Sequence, residues 1–157
     1  MESAKVCPLS KEETAKFIDS NWESWFVPAL SDFIDIPNLT TMVDPEYNTN
    51  GLREKAMEQV DTMINKLNVK GLSRKVYHSD EGMPIVVYIV EPSEGITQEV
   101  MLYGHLDKQP YGFGWWDHLK PDKAYRDKKD GRDLLYGRGG ADDGYAPFTS
   151  MLAIKCA

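Results

Sequence analysis

Cysteine is scarce. The 157-residue chain holds two, Cys7 and Cys156, near its opposite ends. They form neither a CxxC pair nor a framework dense enough to staple a small secreted domain, so both read as free thiols. Long hydrophobic runs are missing as well: the longest, Ile85 to Val90, is strand-sized and far short of the roughly 18 residues of a membrane span. Nine prolines and twelve glycines are too few for a collagen-like, linker or low-complexity chain. The first eight residues, Met1 to Pro8, lack a basic region followed by an apolar run, so no secretory signal is visible and a cytoplasmic location is expected. Without that signal the acceptor triplet Asn38-Leu39-Thr40 reads as an ordinary loop. Positive charge is also in deficit, with 18 Lys and Arg against 25 Asp and Glu and a net charge of −7. Such a chain repels phosphate backbones and anionic lipid, so neither nucleic acid nor membrane is an expected partner. What remains is 41% hydrophobic, enough for one ordinary domain, residues 1–157, with a real core.

Ser10-Lys-Glu-Glu13 is a capping box and predicts a helix start. Behind it Ala15, Ile18, Trp22, Trp25, Phe26, Ala29, Leu30 and Phe33 recur at three- and four-residue intervals as a core-facing stripe, with Pro28 expected to kink or divide the helix. Asp35 to Tyr47 reads as a loop. A second helix is predicted from about Gly51 to Asn68, burying Leu52, Ala56, Val60, Met63, Ile64 and Leu67. From Gly71 the period changes. Leu72 to Tyr77, Pro84 to Glu91 and Glu99 to Tyr103 read as strands, and the continuous apolar runs at 85–90 and 100–103 suggest strands covered on both faces. The expected class is α/β, with helices packed on a mixed, largely buried sheet. Lys123–Arg126 and Leu134–Tyr136 flank a hairpin turn at Asp127–Gly131. A last helix opens with Phe148, Met151 and Leu152, and the pattern breaks off at Ala157 as a truncation would.

Two motifs carry chemistry. In Gly104-His-Leu-Asp107 a histidine and a carboxylate stand two residues apart on an extended segment and point the same way. Asp107 can then accept from one ring nitrogen while the other faces a metal or substrate. Gly137-Arg-Gly-Gly-Ala-Asp142-Asp143-Gly144 follows a strand and precedes a helix, yet Asp142 replaces the third glycine of a dinucleotide loop and no P-loop lysine is present. Two adjacent carboxylates repel a phosphate and suit a cation.

Together these motifs resemble the M20 family of metallopeptidases. The matching text is Gly104-His-Leu-Asp-Lys-Gln-Pro110, a tryptophan at 115 or 116, Asp130-Gly131, and Leu135-Tyr-Gly-Arg-Gly-Gly-Ala-Asp-Asp143, with Ala29 to Asn38 similar to the family's amino-terminal helix and Ile-Pro loop. The resemblance spans essentially this whole chain, but only about the first third of a full family member. It implies the amino-terminal part of the catalytic domain of a zinc peptidase of the carnosine-type dipeptidase kind. His105 and Asp142 would be metal ligands, Asp142 bridging two zinc ions (manganese or cobalt being possible substitutes). Asp107 would orient His105, and Asp143 would cap the following helix. The implied substrate is a dipeptide or small peptide, and the complete enzyme is expected to be a homodimer. Lys108 departs from the usual valine, Asp-Asp-Gly-Tyr145 from the usual Asp-Asp-Lys-Gly, and Lys120-Pro121 from the usual Pro-Phe.

The family's general base, one of a Glu-Glu pair on a later segment, has no counterpart. Glu12-Glu13 belongs to the capping box and precedes the histidine motif. His78 and His118 lack a carboxylate at relay spacing and read as solvated. A non-catalytic remnant with weak metal-binding or interaction capacity is therefore the alternative to an enzyme. A calcium loop at Asp127, Asp130 and Asp133 lacks the glutamate an EF-hand needs.

Overall fold

The computed structural model describes residues 9–80, 83–92 and 94–157. The amino-terminal segment and Cys7 lie outside the described residues. Cys156 is a half-buried free thiol. The architecture is mixed α/β, the described residues forming three helical rods and two small, mostly exposed antiparallel hairpins. No helix among the described residues is long and apolar enough to cross a membrane.

The first rod runs as α1 (Lys11–Asn21), a π-helical stretch (Trp22–Phe26) and α2 (Val27–Ile34). Its start is the predicted capping box: Ser10 Oγ accepts from the Glu13 amide, and Glu13 accepts from the Ser10 amide at 2.8 Å. Pro28 sits in the first turn of α2, where the absent N–H costs nothing. The widened turn lies just ahead of it, with the Val27 amide donating five residues back to Trp22. Ser20 and Asn21 both donate to the Phe17 carbonyl, and Ser24 to the Ser20 carbonyl, which satisfies carbonyls near the distortion. The wide turn rotates the apolar stripe. Consequently Ala15, Ile18 and Trp22 are exposed, contrary to the periodicity, and the core begins at Trp25.

α3 (Leu52–Lys66) packs on α2 through Ala56, Val60, Met63 and Ile64, as the spacing predicts. α4 (Tyr145–Cys156) closes the cluster with Phe148, Met151 and Leu152. Phe148 is fully buried and meets Trp25 and Phe33 edge-on, with ring centroids 5.8 and 6.4 Å apart. Trp25 Nε1 donates to the Met63 carbonyl at 2.9 Å, so the indole is buried without an orphaned donor.

β1 (Leu72–His78) pairs with β2 (Pro84–Val90) from Leu72 opposite Val90 to His78 opposite Pro84. β3 (Tyr125–Lys129) pairs with β4 (Arg132–Tyr136) around Asp130-Gly131, a tighter turn than the predicted five-residue one. The largely buried mixed sheet expected from the sequence is not formed among the described residues. Residues 99–103 join no ladder, and Val100, Met101, Leu102 and Tyr103 are 85, 91, 52 and 77% exposed. A continuous apolar run specifies a two-sided strand only where partners lie on both edges and layers on both faces. Among the described residues nothing supplies them, and the helices pack chiefly on one another.

Candidate metal site

The site is built from two arms. The first is the extended run Gly104–Lys108, in which side chains alternate: His105 and Asp107 face outward, while Leu106 and Lys108 face the core. Asn38 anchors it, its Nδ2 donating to the Leu106 carbonyl at 2.7 Å and its carbonyl accepting from the Lys108 amide at 3.0 Å. The acceptor triplet at 38–40 is thus a buried cross-brace, with Asn38 only 2% exposed.

The second arm is the glycine-rich turn Gly139–Gly144 ahead of α4. Gly139 adopts φ +84°, a left-handed conformation that favours glycine. Gly144 lies against the Phe33 ring and donates its N–H to the Gly139 carbonyl at 2.8 Å, so a side chain at 144 would collide with the core. Asp142 and Asp143 leave the helical conformation, and the peptide between them is cis.

Although 37 residues apart, His105 and Asp142 meet, with Nε2 3.2 Å from Asp142 Oδ1. On the ring's other side Nδ1 lies 2.9 Å from the Asp107 carbonyl and 3.3 Å from its carboxylate. A carbonyl only accepts, so it holds the proton on Nδ1 and leaves Nε2 facing Asp142. The backbone oxygen of Asp107 is the nearer acceptor for Nδ1 and its carboxylate the second. Asp143 does not cap α4. Its Oδ2 accepts from the His105 amide at 3.2 Å and ties the two arms together.

Burial lowers the His105 pKa, but the Asp107 carbonyl and carboxylate and then the Asp142 carboxylate outweigh it and raise the net value. Tyr47, buried and unsuspected from the sequence, belongs to the same neighbourhood: burial and then the Asp107 charge push its phenol up.

The donor set fits part of a zinc site. A tetrahedral zinc with bonds of about 2.0–2.2 Å holds adjacent ligands roughly 3.4 Å apart, close to the 3.2 Å between His105 and Asp142. Among the described residues no group of three or more His, Cys, Asp or Glu side chains converges, so a complete ligand set is not present in them. His78 is exposed, and His118 lies in the open between the rings of Trp116 and Tyr125. Glu13 is engaged in the helix cap.

Lys108, a departure from the resembled motif, is central here. Lys108 is 1% exposed, and its Nζ donates to the carbonyls of Phe33 at 2.6 Å, Ile34 at 3.1 Å and Ile36. The alternation that turns His105 and Asp107 outward was the available signal that position 108 points inward. No protein-family model matches the chain, and no curated protein matches it.

Proposed function

We propose that this chain supplies the first part of the metal site of an M20-type zinc dipeptidase, acting on dipeptides or small peptides in the cytoplasm as a homodimer. The observation that carries the reading is the 3.2 Å approach of His105 Nε2 to Asp142 Oδ1 with Asp107 behind the ring. His105 presents a nitrogen lone pair, Asp107 keeps the proton on the opposite nitrogen, and Asp142 brings a carboxylate to the same point. Such outer partners raise ligand basicity and fix orientation. Zinc, when bound, supplies Lewis acidity toward a peptide carbonyl. Manganese or cobalt are the substitutes that the same donors accept.

A second reading has its own support. Two donors without a third, and without a free Glu-Glu pair beside them among the described residues, favour a chain that binds metal weakly and does not turn over substrate. Both readings are tested together. Zinc titration followed by the His105 ring signals, with His105→Ala and Asp142→Asn as controls, is expected to show binding that both substitutions weaken. Dipeptide hydrolysis by residues 1–157 with zinc or manganese is expected to be absent. No change in the ring signals at millimolar zinc would sink the metal site, and turnover abolished by His105→Ala would sink the non-catalytic reading.

A further inference from the structure

Lys108 touches both arms of the site. Its backbone is locked to the segment after α2, donating to the Asn38 carbonyl at 3.0 Å and accepting from the Thr40 amide at 2.8 Å. Its Nζ reaches the carbonyl end of α2, where carbonyls run out of intrahelical donors and the helix dipole is negative. It also stands 4.3 Å from the centre of the Phe33 ring. The aliphatic stem between these anchors lies against Gly139: a Cβ there would fall 2.7 Å from Cγ and Cε and 2.9 Å from Cδ. Gly139 opens the turn that carries Asp142. One side chain therefore fixes the His105 arm to α2 and at the same time forms the floor under the Asp142 arm.

We propose that Lys108 is a positioning residue for the zinc site, setting the separation of His105 and Asp142 by pinning one arm to the end of α2 and supporting the other at Gly139. This rests on the zinc-site reading above. An ionisable side chain buried against carbonyls is a costly way to fill space, since an apolar residue of similar volume is often as stabilising or more so. What the amine nitrogen adds is a directed anchor. Its N–H groups, aimed at the carbonyls of Phe33, Ile34 and Ile36, fix the end of the stem at one point relative to α2, and so fix the surface on which Gly139 rests.

The experiment compares the wild-type chain with Lys108→Met, which keeps the stem and removes the nitrogen donors, Lys108→Arg, which keeps N–H donors at the end of the stem, and Gly139→Ala, which strains the left-handed backbone and presses a methyl group onto the stem. Zinc affinity is measured by competition with a chelating dye, the His105 ring by nitrogen chemical shifts, and folding by urea melts. Lys108→Met is expected to stay folded, yet to bind zinc about 10- to 100-fold more weakly with altered His105 shifts. Lys108→Arg is expected to recover most of the affinity, and Gly139→Ala to lose it from the opposite arm. A folded Lys108→Met that binds zinc within about twofold of wild type overturns the proposal, because a merely structural lysine would move the melt alone. Should Lys108→Met not fold, Lys108→Gln, which shortens the stem and removes the amine, decides by the same affinity criterion. A wild-type chain that binds no zinc removes the site itself, an outcome distinct from unchanged affinity in the variant.

Discussion

Replacing Lys108 by methionine should change how stability depends on pH. Burial pulls the Lys108 ammonium from the ordinary 10.5 down to about 7, against the opposing pull of the Asp35 and Asp122 charges. Above pH 10.5 the amine is neutral in both the folded and the unfolded chain, and the buried lysine carries no penalty. Between 10.5 and about 7 the unfolded chain takes up a proton that the folded chain does not, so stability falls as pH falls. Below about 7 both states are protonated and the loss is complete. Each pH unit in the window is worth about 1.4 kcal/mol, and its full width amounts to roughly 5 kcal/mol, a large share of a domain's total of about 5–15 kcal/mol. Lys108→Met carries no such proton. The difference in unfolding free energy, wild type minus variant, should therefore shrink by about 1.4 kcal/mol per unit as pH drops from 10 to 7. Urea unfolding followed by the fluorescence of buried Trp25 measures it, and taking the difference cancels the other titrating groups. Parallel pH profiles for the two proteins would refute the reasoning. They would mean that the three carbonyls at the end of α2 hold the ammonium charged throughout.

Phe148→Ala should cost about 3–5 kcal/mol, because the ring is fully buried between Trp25 and Phe33 and its loss detaches α4 from the first rod. A urea-melt difference under about 1 kcal/mol would show that the core closes over the gap. The exposed run Val100–Tyr103 should drive concentration-dependent association and bind an apolar dye. Met101→Lys should reduce both in sedimentation and fluorescence assays, and a wild-type chain that stays monomeric and binds no dye would contradict this.

Much of the local structure is legible in the chain itself. Ser10 and Glu13 specify a helix start because the cap is made within one turn. The spacing of Ala56, Val60, Met63 and Ile64 specifies the buried face of α3, because a single period places those side chains on one side. The alternation His105, Leu106, Asp107, Lys108 divides outward from inward groups for the same reason. These are short-range facts, decided by backbone geometry over a few residues. The resemblance of the two motifs proposed that His105 and Asp142 meet, but no local rule could place them 3.2 Å apart. That distance depends on where α2 ends, on the contact of Gly144 with Phe33, and on Asn38 and Lys108 bracing a loop some 70 residues away in sequence. The apolar run at 99–103 makes the contrast plain. Its composition asks for a buried strand, but once out of water a strand's backbone donors and acceptors need a neighbouring strand, so its state is decided by which partners the tertiary structure brings to it. Lys108 reverses the case: an ionisable residue that composition assigns to the surface is buried, because the end of a helix offers its nitrogen three carbonyls that only the folded chain assembles.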